Sequence, residues 1–383
     1  MSPNILILGD EIININRKTL PARLHLMKIS LIANFPLPYR VSLLNDVAKR
    51  IGPGFEAIFT DSFVPGHNWG IKDIHFKFKS LNPSGVGSRS WSVSFSLLHH
   101  LVRTNPDTIV IYGATLPMLT ALVYALIRGK RRVYFTDSWE YSYSKLSPLR
   151  KLIRSLIFHS FHKYIVIGSN GRQHLMNHGI PKEKVEVVRI PLPLCNQTGG
   201  IEKKYDLIFA GRFISTKMPE FFLDVVERLN KEYPVKAVMA GTGLLEEEIK
   251  NRVNHSSLPV DLPGYIDREE LFKLFHSSKI LLFPTENDVW GMSAQEALNC
   301  GIPVIAAPYC GIANDLLIHE NNGYILSPDT DTWVNKIKNL LSDSELYAAF
   351  SQKAGSSQAG ITLSSESRKL YNAITEKGMK YEV

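Results

Sequence analysis

The sequence predicts an α/β protein built from two doubly wound domains that face each other across a cleft. Three observations lead to this prediction: a length of 383 residues, a regular alternation of short apolar runs with helical patterns, and a polar stretch that interrupts the alternation near the middle. A chain of this length is more easily divided between two cores than packed around one. Hydrophobic residues make up 44% of it, which is typical of a folded enzyme and excludes a disordered chain.

The first half alternates strand-like and helical segments. Strands are predicted at 27–33, 108–112, 133–135, 164–167 and 185–188. Helices are predicted at 42–51, 116–127 and 149–162. This alternation favours a parallel sheet with helices on both faces, because each crossover between parallel strands needs a helix. We therefore expect an N-terminal domain over residues 27–195, with residues 1–26 as an extension outside the core.

A second series of the same kind follows the polar stretch. That stretch, 196–204, has the composition of an interdomain linker. Strands are then predicted at 206–210, 235–240, 279–283 and 303–306, and helices at 219–232, 244–254, 269–276, 294–300 and 332–342. We expect a C-terminal domain over 205–362 and a last helix, 363–383, that packs back on the N-terminal domain.

The net charge of +8 is distributed unevenly. Residues 1–200 carry a formal charge of +14 and the remainder carries −6. Such asymmetry indicates an anionic partner on one side, such as a membrane surface, a polyphosphate or a nucleic acid, or else an ordinary solvated surface. Residues 149–161 form a basic amphipathic pattern, which is compatible with a helix on an anionic membrane and with a helix packed on the sheet.

The cysteine content and the N-terminus bear on location. Three cysteines are too few and too scattered for a disulfide framework and show no metal-ligand pairing, so a reducing, cytosolic setting is expected. No secretory signal is evident. Gly113, Thr115 and Pro117 interrupt the apolar segment 109–127, which favours a buried strand and helix over a membrane span. The resulting expectation is a cytoplasmic protein, either free in solution or peripheral at the inner face of the membrane.

The stretch most informative about chemistry is 283–306. It combines a strand, an acidic loop, a glycine turn at Gly291 and a helix that begins near Met292 and Ser293. The free N–H groups and partial positive charge of a helix start suit a phosphate or sugar oxygen. Glu296 falls in the first turns of that helix, where its carboxylate can accept hydrogen bonds from hydroxyls.

At these residues the chain resembles the retaining glycosyltransferases of family four, which have the two-domain GT-B fold. That family carries two glutamates separated by seven residues, matched here by Asp288 and Glu296, with Ala297, Gly301 and Pro303-Val304 following. The resemblance implies that the Asp288 region, with the N–H groups of Gly291 and Met292, holds the donor sugar, and that Glu296 binds the ribose hydroxyls. Aspartate at the first position departs from the family, and Glu286 nearby could share its work.

A second cluster lies at Gly211-Arg212 and Lys217, where a buried strand runs into a loop. Arginine offers a planar fork of donors and lysine a point charge, which together suit a diphosphate. The resemblance assigns Arg212 and Lys217 to this leaving group. Arg212, Lys217 and Asp288 are therefore predicted to be catalytic.

Two weaker signals complete the second half. Gly241 ends a predicted strand, and Gly264-Tyr265-Ile266 opens the next loop. Both resemble family positions that flank the nucleotide, with Gly264 to Ile266 near the base. A dinucleotide site is disfavoured, since Glu246 stands where the third glycine of that fingerprint would be.

The N-terminal half is less typical of the family. Its first loop contains Pro38, Tyr39 and Arg40, which we assign to the acceptor side. After a mid-domain strand the chain reads Thr136-Asp137-Ser138-Trp139-Glu140, with threonine where the family often has histidine. Asp137 and Glu140 are candidates for orienting the acceptor hydroxyl, or else for capping the next helix.

These features predict a retaining transferase that moves a hexosyl group from a nucleotide sugar to a glycan or lipid-linked acceptor. No metal and no cofactor are expected, because Arg212 and Lys217 supply the positive charge. A nucleotide-sugar epimerase of the same fold is the alternative enzyme. A catalytically silent protein that binds a membrane surface or a nucleic acid is the alternative from another class. A nucleic-acid partner is not expected, since basic and aromatic residues are interleaved only at 75–79.

Overall fold

The computed structural model describes the backbone of two short strands, at 5–8 and 11–14, and residues 27–61, 73–82, 91–193, 195 and 202–376. The short strands, β1 (Ile5–Leu8) and β2 (Glu11–Asn14), pair with each other in antiparallel fashion and belong to neither large sheet. Most of the predicted linker 196–204, most of the extension 1–26 and the last seven positions of the chain lie outside the described residues.

The first domain is built on a seven-stranded parallel sheet with the order β5-β4-β3-β6-β7-β8-β9. Its strands are β3 (Ile29–Ala33), β4 (Phe55–Phe59), β5 (Lys77–Ser80), β6 (Thr108–Tyr112), β7 (Arg131–Thr136), β8 (Lys163–Val166) and β9 (Val185–Val187). Its helices are α1 (Pro38–Ile51), α2 (Trp91–Thr104), α3 (Leu116–Ile127), α4 (Glu140–Ser144), α5 (Pro148–Phe158) and α6 (Ser169–Asn177).

The second domain is built on a six-stranded parallel sheet with the order β12-β11-β10-β13-β14-β15. Its strands are β10 (Tyr205–Ala210), β11 (Ala237–Ala240), β12 (Val260–Gly264), β13 (Ser278–Phe283), β14 (Val304–Ala306) and β15 (Gly323–Ile325). Its helices are α7 (Pro219–Asn230), α8 (Glu246–His255), α9 (Arg268–His276), α10 (Met292–Asn299), α11 (Thr330–Ser342) and α12 (Ser344–Ser356), and α13 (Leu363–Thr375) ends the described chain.

The β6–α3 unit shows how local sequence produces these layers. The first four residues of β6 are fully buried, as expected for a central strand covered on both faces. In α3, Met118, Ala121, Leu122 and Ala125 are buried at helical spacing, so one face of the helix packs on the sheet. A proline in the first turn of α3 fits there because that position needs no intrahelical N–H donor.

The last helix, α13, leaves the second domain and packs on the first. Leu370, Ala373 and Ile374 are buried in the same core cluster as Ile29 of β3 and Val47 of α1 in the first domain. The chain therefore connects the two domains at two places, once before β10 and once before α13.

The two domains are in direct contact beside the cleft between them. Asp315 of the second domain accepts hydrogen bonds from Arg189 Nε, at 2.9 Å, and from the backbone N–H of Ser169 at the start of α6. Asn170 Nδ2 donates to the carbonyl oxygens of Gly311 and Ala313. These contacts tie α6 to the loops that follow β14.

Helix α5 is amphipathic, but its apolar side does not pack on the sheet. Only Phe158 of this helix is buried, whereas Leu149, Leu152 and Leu156 are 67%, 58% and 69% exposed. The alternative in which these residues form part of the core is therefore wrong. The helix also ends at Phe158 rather than at residue 162.

The cysteines are not scattered in space. Cys195 and Cys300 form a disulfide with a Cα–Cα distance of 5.2 Å, although 105 positions separate them in sequence. Cys310 is a free, buried thiol. The expectation of unpaired cysteines is therefore wrong, because the β-α units between them return the chain to the place where it entered the second domain.

Candidate active site

A cleft of about 1710 Å³ lies between the carboxyl ends of the two parallel sheets. This is where open α/β sheets bind ligands, because loops that follow neighbouring strands meet there. Predicted site residues from both domains line it: Pro38, Tyr39, Asp137, Gly211, Arg212, Lys217, Gly241, Tyr265, Ile266, Asp288, Met292, Ser293 and Glu296.

The cationic side of the cleft follows β10. This strand ends at Ala210, and the loop beyond it presents Arg212 and, after a short 3-10 helix, Lys217. Lys217 Nζ lies 2.5 Å from Asp288 Oδ2, and both side chains are largely buried. The two residues predicted to act on the donor are thus in contact with each other.

Gly241 allows the loops after β10 and β11 to approach closely. It has a φ of 150°, and a Cβ atom at this position would lie 1.8 Å from the carbonyl oxygen of Gly211. Any side chain here would push the two loops apart and displace Arg212, which follows Gly211 directly. The role of Gly241 is therefore to shape the backbone of the cleft.

Helix α10 points its N-terminus into the cleft. Gly291 caps it in the left-handed region, with a φ of 110°, and Met292 and Ser293 in the first turn line the cleft. The N–H groups of a first helical turn have no intrahelical acceptors, so they can bind an anion or a sugar oxygen. Asp288 Oδ1 accepts from the Trp290 N–H at 3.1 Å, which fixes the loop before the helix.

Glu296 lies one turn further along α10. Its side chain is 13% exposed, and burial raises its pKa to about 7, although Arg268 opposes the shift with its Nε 3.3 Å from Glu296 Oε1. Arg268 also lines the cleft and was missed by the sequence analysis. It is the first residue of α9, and no local pattern distinguishes it from other surface arginines.

Three predicted donor residues do not line the cleft themselves. Gly264 is the last residue of β12 and precedes Tyr265, which does line the cleft. Gly291 is the N-cap residue of α10 and precedes Met292, which also lines it. Glu286 is exposed and engages the site only through its backbone N–H, which donates to the Thr216 carbonyl. Its carboxylate is therefore not placed to share the work of Asp288.

Asp137 lies on the wall of the cleft that the first domain forms, directly after β7, and two residues beneath it fix its carboxylate. Tyr112 Oη donates to Asp137 Oδ2 at 2.6 Å, and Arg40 Nη2 lies 3.8 Å from the same oxygen. Arg40 is buried, with its guanidinium 4.3 Å from the Tyr112 ring centre and 4.7 Å from that of Phe135. Arg40 was predicted to lie on the acceptor side, but it is buried behind Asp137 and does not line the cleft, so the structure does not bring it to that surface.

Glu140 is not brought to the cleft. Its carboxylate pairs with His174 Nδ1 at 2.8 Å, which fastens α4 to α6. The ring of His174 is buried and stacks near Tyr143. The spacing of Asp137 and Glu140 suggested a shared role, but the chain turns into α4 between them, and Trp139 rather than Asp137 is the N-cap residue.

Three sets of possible metal ligands occur among the described residues, and none of their members lines the cleft. Asp329-Thr330-Asp331 is an Asp-x-Asp sequence, but Asp329 caps α11 and Asp331 pairs with Arg228. Two further groups of ligand atoms occur in the described part of the chain, namely Cys195 with His276 and Cys300, and Glu140 with His174 and His178. The first is engaged in the disulfide and the second in the Glu140–His174 pair, so neither is assigned to a metal.

Comparison with known proteins agrees with this architecture. Residues 196–356 match the sequence profile of the family "Glycosyl transferases group 1". Anabaena HepE, solved with UDP, superposes with a TM-score of 0.72 at 16% identity, over 90% of this chain and 98% of that one. The lipopolysaccharide outer core galactosyltransferase WaaB superposes with a TM-score of 0.69 at 16% identity, over 91% and 99% of the two chains.

The fold is the GT-B fold of glycosyltransferases, and most of the C-terminal domain matches the glycosyl transferases group 1 family. An uncharacterized glycosyltransferase of Methanocaldococcus jannaschii is 26% identical over 145 residues, and the match spans 36% of each chain. The sequence match thus covers about a third of that relative.

Proposed function

We propose that this protein transfers a hexosyl group from a nucleotide sugar to a glycan or lipid-linked acceptor, with retention of configuration. The observation that carries the proposal is the convergence of Arg212, Lys217, the α10 N-terminus and Glu296 on one cleft. Cations and helix N–H groups suit a diphosphate, and a carboxylate suits vicinal hydroxyls. Structures of HepE with UDP-glucose support the choice of donor class.

In the proposed reaction the protein positions the donor and stabilises charge. Arg212, Lys217 and the first turn of α10 neutralise the diphosphate as the bond to the sugar breaks. The departing phosphate oxygen takes the proton of the acceptor hydroxyl, which attacks from the same face. No protein nucleophile is needed, and the positive charge of the two side chains takes the place of a metal ion.

The acceptor side of the proposal depends on Asp137. Its carboxylate lines the cleft, held by Tyr112, and lies opposite the cationic wall of the second domain. We assign it to orienting the acceptor hydroxyl, with Tyr39 and Pro38 shaping the entry. Arg40 acts through Asp137 and Tyr112 without touching the substrates.

We also assign α5 to the surface of an anionic membrane, where a lipid-linked acceptor would be found. Leu149, Leu152 and Leu156 are exposed on the same helix as the basic residues Arg150, Lys151 and Arg154. Arg150 and Arg154 also line the cleft, so this helix borders the acceptor entrance. Among the described residues no helix has the length and apolarity needed to cross a bilayer.

Changing Leu149, Leu152 and Leu156 together to serine is expected to abolish most binding to anionic vesicles. The change removes the apolar contact and leaves the basic residues, which alone bind only at low salt. Cosedimentation with vesicles of anionic phospholipid, at low and physiological salt, measures the effect. Val102→Ser, an equally exposed position on α2, is the matched control. Undiminished binding of the triple variant would refute the assignment.

The reaction class is tested by incubating the protein with UDP-sugars, with and without a lipid-linked or glycan acceptor. Transfer predicts that free UDP appears in quantity only when acceptor is present, with the sugar linked in the donor's anomeric configuration. A new nucleotide sugar formed without acceptor would instead identify an epimerase. Thermal stabilisation compared across a panel of nucleotide sugars identifies the usable donor, since a ligand that binds the native state raises its melting temperature.

A further inference from the structure

The chain enters the second domain along the side of α10. We call residues 190–193 and 195 the crossing segment. Gln295 Nε2 donates to the Ile190 carbonyl at 2.8 Å, and Asn299 Nδ2 donates to the Pro193 carbonyl at 2.8 Å. Cys195 is bonded to Cys300, the residue that caps the C-terminus of α10. The crossing segment is thus fastened along a helix whose other end lies in the cleft.

Of these three links between the crossing segment and α10, two are hydrogen bonds and the disulfide is covalent. The residues around the disulfide favour thiol chemistry. Cys195, Cys300 and His276 are all half-buried, so none of them is sealed in a core. His276 Nε2 lies 3.0 Å from Cys195 Sγ. Burial and the nearby Lys203 lower the pKa of His276, so its imidazole is neutral at neutral pH and able to accept a proton.

We propose that Cys195 and Cys300 are a thiol–disulfide exchange site, with His276 as its base, that reversibly ties the crossing segment to α10. In the closing direction Cys300 first forms a mixed disulfide with a small disulfide, releasing one thiol. His276 takes the proton of Cys195, and the resulting thiolate attacks the Cys300 sulfur. The second small thiol leaves and takes that proton. Two protein thiols are oxidised, and one small disulfide is reduced to two thiols.

Opening is the reverse reaction with a dithiol as reductant. The geometry permits both directions, because the Cα–Cα distance of 5.2 Å is within the ordinary range for a disulfide and the backbone need not move for it to close. In a reducing compartment such bonds are usually transient or sensory rather than structural. When the bond is open, the Gln295 and Asn299 hydrogen bonds still hold the crossing segment, but more weakly.

The exchange is tested by native alkylation after incubation with dithiothreitol or with oxidised glutathione. We expect two cysteines, Cys195 and Cys300, to be alkylated in the reduced protein and neither in the oxidised protein. Cys310 provides an internal control, since it is buried and burial raises its pKa to about 12, so it should stay unmodified in both. A disulfide that survives dithiothreitol in the folded protein would overturn the proposal, as would two free thiols that glutathione disulfide cannot join.

The role of His276 is tested by the rate of closure. His276→Gln is expected to slow disulfide formation by oxidised glutathione at least about tenfold, because general-base assistance is lost. His255→Gln, a change of the same kind at an exposed histidine of α8, should leave the rate unchanged. Equal rates for wild type and His276→Gln would remove His276 from the mechanism.

The restraint that the disulfide places on the crossing segment is tested by amide hydrogen exchange in the oxidised wild type, the reduced wild type and the Cys300→Ser variant. We expect faster exchange at the Ile190, Leu192 and Cys300 amides in the two open forms, which should resemble each other. Identical exchange rates in the oxidised and reduced wild type would show that the disulfide does not restrain the crossing segment. None of these measurements uses sugar transfer, so they can succeed or fail independently of the proposed activity.

Discussion

Lys217→Ala is expected to reduce turnover at least about a hundredfold, the size of effect seen when a residue that stabilises transition-state charge is removed. Lys217 and Arg212 are the two cations that the loop after β10 presents to the cleft. The alanine variant loses one of them and also leaves the Asp288 carboxylate, 2.5 Å from Lys217 Nζ, without its partner. That carboxylate would then repel the diphosphate.

The two parts of this loss can be separated with Lys217→Ala/Asp288→Asn. Removing the unpaired carboxylate should restore much of the donor KM, whereas kcat should stay low because the cation is still missing. Lys250→Ala, at an exposed lysine of α8 that pairs with Glu246, is the matched control and should behave as wild type. Near wild-type turnover in Lys217→Ala would show that the donor diphosphate lies elsewhere.

Glu296→Ala is expected to lower turnover by a similar factor of at least about a hundred, through loss of donor positioning. Its pH dependence is the sharper test. Burial raises the pKa of Glu296 to about 7, so in the ligand-free protein the carboxyl is increasingly protonated below that value. Only the ionised form accepts hydrogen bonds with both oxygens. Donor affinity should therefore fall as the pH drops below about 7, approaching about tenfold per unit.

Glu296→Gln provides the matched variant, since it keeps the shape and cannot titrate. Its donor affinity should be weak and independent of pH between 6 and 8. The stability of the ligand-free protein should show the opposite dependence. A folded-state pKa above the unfolded value means that the stabilisation is complete at low pH and is lost as the pH rises through about 7. Identical pH profiles for donor binding by wild type and Glu296→Gln would contradict the assignment.

The sequence predicted best those features that depend on neighbouring residues. The strand Thr108–Tyr112 and the helix Leu116–Ile127 were predicted with the bounds that the structure has, because each shows an uninterrupted apolar pattern between Gly or Pro signals. Strands with mixed composition, such as Lys77–Ser80, were missed, since an exposed edge strand carries no apolar run. The parallel, two-sheet fold follows from the alternation alone.

Features that depend on distant partners could not be predicted. His174, which pairs with Glu140, lies 34 positions further on, and Arg268 reaches Glu296 from another helix. The burial of Arg40 between two aromatic rings needs three elements to be assembled first. The residues that converge in the second domain were easier to predict, because parallel strands place every following loop at the same edge of the sheet.

The pairing of Lys217 with Asp288 also has a consequence for selectivity. A cleft whose lysine already has a counter-ion presents less free charge to the abundant small anions of a cell. Inorganic phosphate would have to displace the Asp288 carboxylate from Lys217. It has no ribose to contact Glu296 and no sugar to contact the α10 N-terminus, so it would gain neither proposed contact in return. In the proposed binding mode the complete donor makes all of these contacts together, and they offset the cost of displacing the carboxylate. The ion pair would thereby lower occupancy of the cleft by anions that offer charge alone, and the additional ribose and sugar contacts would give the intact donor its advantage.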